Sequence, residues 1–163
     1  MVMRLSADAR KMVLTSATEE ASCRGDRRLG TDHLLLGLLH DADSPAAMAL
    51  GVSLANARAA LDALDVAALA AVGVQVAAAA GEPPPAAAGR HLRPLTSGAR
   101  AVIKQATGEA RPAKTGRIGA DHFLLALVSR ERPDPAAELL HALGVDPGAV
   151  RERLNRSTPG EAA

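Results

Sequence analysis

Aromatic residues are almost missing from this chain: one phenylalanine, Phe123, and no tryptophan or tyrosine occur in 163 residues. A core made from such material has to be aliphatic helix packing without aromatic anchors, with alanine and leucine supplying the bulk. An excess of charge of one sign is missing too. Nineteen Lys and Arg stand against 18 Asp and Glu, for a formal net charge of +1, and the two signs are interspersed. That removes the concentrated basic face on which nucleic-acid binding rests, so no nucleic-acid partner is expected. A lone cysteine, Cys23, cannot form an internal disulfide, and beside Arg24 at a helix end it reads as an inert thiol. The opening MVMRLSADARKMVL carries charges where a secretory leader needs an apolar stretch, which points to the cytoplasm.

No apolar run is long enough for a membrane partner to be expected. The uncharged stretch VAALAAVGVQVAAAA, Val66 to Ala80, is too short and too rich in alanine to cross a bilayer, which takes about 20 strongly apolar residues. Catalytic machinery is equally absent: no nucleophile, base and orienter can be assembled, so no catalytic residue is named and the chain is not expected to be an enzyme. His33 and His122 each follow a lone Asp, with no Cys or Glu cluster at ligand spacing. They read as packing or helix-start residues, and neither a metal nor a cofactor is expected.

What the chain does have is one pattern written twice. LSADARKMV, LGTDHLLLGLL and SPAAMALGV, starting at Leu5, return as LTSGARAVI, IGADHFLLALV and DPAAELLHALGV, starting at Leu95. Leu5, Ala9 and Arg10 answer to Leu95, Ala99 and Arg100; Gly30, Asp32 and His33 answer to Gly119, Asp121 and His122; Arg58 and Leu61 answer to Arg151 and Leu154. Two copies of so long a unit argue for one domain over 1–163 with approximate internal two-fold symmetry, not for a solenoid. Repeat 1 spans 5–65 and repeat 2 spans 95–155. The Ala- and Pro-rich segment 66–94, with GEPPPAAAGRHLRP at its end, reads as the linker.

Within each copy the period is helical. Leu5, Ala9, Met12, Val13, Ser16 and Ala17 share a stripe of a first helix that runs to about Cys23, and Gly25 with DRR marks a loop. Thr31 is expected to N-cap a second helix, with Asp32 in its first turn and LLLGLL buried almost all round. Asp43, Ser44 and Pro45 open a short third helix that ends at Leu50-Gly51, and Ser53 caps a fourth with Leu54, Ala57, Leu61 and Leu64 inward. Asp134-Pro135 and Asp146-Pro147 open the third and fourth helices of the second copy. The expected fold is all-α, a tandem duplication of a four-helix unit with about eight helices.

GTDHLLLGLL and GADHFLLALV resemble the GTEHILLGL signature of the Clp amino-terminal (Clp repeat) domain, which stands ahead of the ATPase modules in Clp-type unfoldases. The similarity runs from Leu5 to Leu154 and is to the ClpC type in particular. No GxxxxGK[ST] loop occurs in the 163 residues, so the expectation is a stand-alone domain that binds without ATP-driven remodelling. The resemblance implies a docking module for substrates and adaptors of a Clp ATPase and protease, including proteins that bear phosphoarginine. It places ligand binding at Ser6 with Asp32 and at Thr96 with Asp121. A carboxylate can pair with a guanidinium, while a hydroxyl and backbone N–H groups at a helix start can take a phosphate. An Asp in a first helical turn is also an ordinary stabiliser, worth about 0.3–1 kcal/mol.

Three departures from the family pattern stand out. Both acids are Asp where the family has Glu, one methylene shorter. Leu5 and Leu95 stand where the family commonly has Phe, at the place where cyclic-peptide antibiotics engage some ClpC-type domains. Ala120 replaces the threonine of the signature, so the second copy is expected to lack a hydroxyl cap and the two pockets to be unequal. Alternative roles are a decoy that sequesters such cyclic peptides, or a regulatory partner of the Clp ATPase, with Val66–Ala80 laid as a helix in a groove.

Overall fold

Three helices of the first repeat begin where a serine side chain meets the chain's turn into helical geometry. The computed structural model describes residues 4–75, 93–109 and 117–157. A two-residue strand, β1 (Arg4–Leu5), leads to Ser6, whose Oγ accepts from the Ala9 N–H at 3.1 Å and caps α1 (Ala7–Lys11). The helix continues through a π-helical turn, Met12–Ser16, into α2 (Ala17–Cys23). The extra residue in the π turn adjusts the face presented to the core, and Ala9, Met12, Val13, Ser16, Ala17, Glu20 and Ala21 are buried. After a loop with Gly25 at φ 74° comes α3 (Thr31–Leu38), buried on every side at Leu34, Leu35, Leu36 and Leu38. Ser44 caps α4 (Pro45–Leu50), which ends on Gly51 at φ 69°, the left-handed C-cap that glycine takes without a steric penalty. Ser53 caps α5 (Leu54–Ala71).

The second repeat runs in the same order: α6 (Ser97–Glu109), β2 (Arg117–Ile118), α7 (Ala120–Val128), α8 (Pro135–Ala142) and α9 (Pro147–Ser157). Thr96 Oγ1 accepts from the Ala99 N–H at 3.1 Å, and Asp146 Oδ2 from the Ala149 N–H at 2.9 Å. With α1, the π turn and α2 taken as one interrupted first helix, the described residues hold the expected two sets of four.

The repeats do not fold side by side; they exchange. β1 of the first repeat pairs in parallel with β2 of the second, Arg4 opposite Arg117 and Leu5 opposite Ile118. The matching position in the other direction is a single parallel bridge between Leu29 and Leu95. The third and fourth helices cross over as well, α4 packing on α9 and α5 on α8, while α3 and α7 meet at the centre. Arg153 Nη1 adds a hydrogen bond to the Ala49 carbonyl at 2.9 Å, fastening α9 to α4. The first and second helices of each repeat pack most closely on one another, and the rest of each repeat's apolar face is buried against the other repeat, which joins both into a single core.

That core is aliphatic apart from one ring. Phe123 of α7, at 1% exposure, is the largest fully buried side chain, so an aromatic anchor is present after all, beside Leu34, Leu124, Leu127 and Leu139. One charge is buried as well. Glu20 of α2 is 2% exposed, and its carboxylate accepts from Arg58 of α5 at 2.5 and 3.2 Å and lies 2.6 Å from His40 Nε2. Burial alone would push its pKa up, but the hydrogen bonds and charges of Arg58 and His40 outweigh burial and hold it below the usual value.

α5 runs to Ala71, six residues into the stretch read as linker from residue 66, because the alanine-rich sequence carries the helix on after its last buried residue, Leu61. Val66, Leu69 and Val72 on this extension are exposed. The remainder of the expected linker, 76–92, lies outside the described residues. Among the described residues no helix is long and apolar enough to cross a membrane.

Candidate functional site

The Gly-x-Asp-His motif builds the same local device in both repeats. Gly30 and Gly119 are the N-caps of α3 and α7 in extended backbone, and their N–H groups donate to Nδ1 of His33 and His122, both at 3.0 Å. The histidines are thus helix-start partners: each ring three residues on satisfies a backbone donor the helix cannot. His33, 3% exposed, also sets Nε2 2.9 Å from Asp26 Oδ2. Between glycine and histidine the Asp folds back over the cap. A Cβ on Gly30 would lie 2.4 Å from Asp32 Oδ1, and one on Gly119 would lie 2.3 Å from Asp121 Oδ1. The motif needs glycine because carboxylate and backbone share that space.

Each Asp looks into a cleft, and the clefts cross the repeat boundary. Asp32 lines a cleft of 720 Å³ with Thr96, at the start of α6. Asp121 lines one of 510 Å³ with Ser6, at the start of α1. All four residues singled out from the sequence thus line clefts, but the partners are exchanged from the pairing of Ser6 with Asp32 and Thr96 with Asp121. The parallel pairings are the cause: the Ser6 N–H donates to the Ile118 carbonyl at 2.9 Å and the Thr96 N–H to the Leu29 carbonyl at 3.0 Å. These bonds carry each first-helix start to the other repeat's motif. Both hydroxyls already accept as N-caps and keep their own proton to donate.

Thr31 does not cap its own helix, since Gly30 takes that place. Its hydroxyl, in a residue 1% exposed, instead donates to Asp134 Oδ1 at 2.7 Å and receives the Ala136 N–H at 3.2 Å, so it caps α8 of the other repeat. Ala120, in the matching place, leaves α7 unharmed for the same reason: Gly119 is its cap. What Ala120 lacks is the tie to the neighbouring third helix. The clefts do differ, then, but not through the loss of an N-cap on α7.

Sequence reasoning missed the residues that set the charge of each cleft. Asp134 caps α8 through Ala136 N–H at 3.1 Å and receives Arg130 Nε at 3.0 Å, with its side chain 7% exposed. Arg27, Arg28 and Arg130 stand in the Asp32 cleft beside the acids Asp26, Glu131 and Asp134, whereas the Asp121 cleft holds Asp8, Asp41 and Asp43 with no Lys or Arg among the described residues that line it. The signal was there in the register: Asp41 answers to Arg130 as Asp32 answers to Asp121. Chemically, the Asp32 cleft offers carboxylates and arginines together with the starts of α3, α6 and α8, a set suited to a group carrying both a guanidinium and an anion. Leu5 and Leu95, where the family carries Phe, are partly buried against the core. Among the described residues no His, Cys, Asp and Glu gather into a group that could hold a metal ion.

The model of the Clp repeat (R) N-terminal domain matches residues 4–132 and 94–161. The chain is 31% identical over 166 residues to the chloroplastic chaperone protein ClpC of Pisum sativum, a match covering 100% of this chain and 16% of that protein. It is 30% identical over 159 residues to the chloroplastic chaperone protein ClpC1 of Oryza sativa subsp. japonica, covering 96% of this chain and 15% of that one. The chain therefore spans about 15% of the length of these relatives. The crystal structure of the N-terminal domain of the Clp-associated chaperone ClpD from Arabidopsis thaliana superposes with a TM-score of 0.73 at 20% identity, over 98% of both chains, so the fold is shared. Duplicated motif, exchanged helices and whole-chain match agree: this chain belongs to the Clp repeat N-terminal domain family.

Proposed function

We propose that this chain is a non-catalytic docking module of a Clp protease system, working in the cytoplasm, that receives protein substrates or adaptors and reads phosphoarginine on them. The observation that carries the reading is the cross-repeat cleft. A carboxylate held over a helix-capping glycine faces a hydroxyl and a helix start contributed by the other repeat, with arginines beside them in the Asp32 cleft. A carboxylate is a partner for the guanidinium end of phosphoarginine, and hydroxyl, backbone N–H and arginine are partners for its phosphoryl end. Family membership and the shared fold of the ClpD N-terminal domain support the module as an interaction domain.

The test is calorimetric titration of free phosphoarginine into the wild type and into a variant carrying Asp32→Ala and Asp121→Ala, with arginine as control. Saturable binding of phosphoarginine to the wild type is expected, with loss in the double variant and an unchanged circular dichroism spectrum. No binding to the wild type at millimolar ligand overturns the phosphoarginine reading and leaves both Asp residues as helix-start stabilisers.

A further inference from the structure

The two clefts descend from one duplicated pattern, yet their charges have parted. In the Asp32 cleft, Arg130 is anchored through Nε to the buried carboxylate of Asp134, which is held in turn by Thr31 and the start of α8. The Nε bond fixes the guanidinium while its two Nη groups remain for a ligand. Arg27 and Arg28 stand at the same cleft, both exposed. In the Asp121 cleft three of those supports are replaced, and Arg117, in the register of Arg28, is not among the residues that line it. Asp41 occupies the register of Arg130, Ser44 the register of Asp134, and Ala120 the register of Thr31. The charged residues lining that cleft, among the described residues, are Asp8, Asp41, Asp43 and Asp121, with no Lys or Arg among them.

A phosphoryl group near neutral pH carries between one and two negative charges, and the Asp121 cleft meets it with four carboxylates and, among the described residues, no cation, whereas in the Asp32 cleft the four carboxylates of Asp26, Asp32, Glu131 and Asp134 are offset by three arginines. The same group beside an anchored arginine forms charge-assisted hydrogen bonds. We infer that one cleft only, that of Asp32 and Arg130, accepts the phosphoryl group, so that the chain binds a single phosphoarginine despite its two-fold design. This rests on the phosphoarginine reading above and adds to it both the stoichiometry and the residue that sets it. Arg130 discriminates by sign: it meets the phosphoryl end, while Asp32 meets the guanidinium end.

The deciding experiment is the stoichiometry of phosphoarginine binding by calorimetry, measured on the wild type, on Arg130→Gln, and on Arg27→Gln with Arg28→Gln. One site per chain is expected, with affinity at least tenfold weaker in Arg130→Gln. Because Arg130 also braces Asp134, the exposed pair Arg27 and Arg28 gives a second reading that leaves the fold alone, and several-fold weakening is expected there. Two equivalent sites per chain, or one site indifferent to both sets of substitutions, overturns the one-cleft inference and leaves the proposed function standing. Absence of saturable binding overturns both.

Discussion

The Thr31 hydroxyl, at the first position of α3, donates to the Asp134 carboxylate at 2.7 Å, across 103 positions of sequence and from one repeat into the other. Through the Ala136 N–H it also closes the start of α8. A residue that looks like a local helix cap is a tertiary fastener.

Replacing it with a residue of the same shape isolates that fastener. Thr31→Val keeps the volume but removes the hydroxyl, and is expected to lower stability by about 1–2 kcal/mol in urea unfolding. Thr107→Val, whose hydroxyl only turns back to the Lys104 carbonyl on its own helix, is expected to stay within about 0.5 kcal/mol. Equal effects of the two would show that the cross-repeat bond contributes nothing of its own.

Glu20 gives a pH dependence whose sign follows from its surroundings. Burial opposes its charge, yet Arg58 and His40 together hold its pKa below the ordinary glutamate value of about 4.5 in the folded state. The unfolded chain then binds the proton more tightly, so the stabilisation from this carboxylate is complete above about pH 4.5 and is lost as pH falls through the lowered folded value. Glu20→Gln is expected to cost about 1–3 kcal/mol near neutrality, because Arg58 and His40 lose a charged acceptor. It is also expected to flatten the acid limb of stability against pH. An acid limb identical to that of the wild type would assign that limb to other groups.

Gly30→Ala separates positioning from stability. Backbone at φ −98° accepts alanine, but the new Cβ would stand 2.4 Å from the Asp32 oxygen. A carboxylate end moves more easily than a packed backbone, so the side chain should swing out. The expected outcome is a loss of stability below about 1 kcal/mol together with marked weakening of phosphoarginine binding. Weakening in step with unfolding, with no separate effect on the folded protein, would count against a positioned carboxylate.

Asp41→Arg carries the sign of the Asp32 cleft into its counterpart. Asp41 is exposed at the start of a turn, so the fold should tolerate the exchange. Calorimetric stoichiometry is expected to rise from one phosphoarginine per chain toward two. A stoichiometry fixed at one would show that the arginine needs its Asp134 brace as well.

Local rules carried the reading of the sequence a long way. Ser53 before a leucine-rich period, Asp134-Pro135 and Asp146-Pro147 at helix starts, and Gly51 at a left-handed cap are decided within a few residues, and the structure has each where the pattern put it. Thr31 was misread because Gly-Thr-Asp allows either of its first two residues to cap, and what decides is a carboxylate in the other repeat. The exchanged pairing of Ser6 with Asp121 and Thr96 with Asp32 was hidden for a related reason. A duplication fixes which residues correspond, not whether a strand finds its partner at home or across the boundary. Glu20 was overlooked because its period matches that of Ala17 and Ala21, and only the arrival of Arg58 makes a charge affordable there.

The exchange has one more effect. Neither repeat owns a whole cleft: the Gly-x-Asp-His half of each comes from one copy and the start of the first helix, Ser6 or Thr96, from the other. Taken singly, a repeat would have to find a twin to complete anything, and the two completed clefts would then be identical, since both would be made from the same two halves. Joining the copies in one polypeptide removes that constraint. The position held by Asp41 and the position held by Arg130 became separately editable letters, and an assembly that symmetry would have kept even-handed could turn a different face to each side.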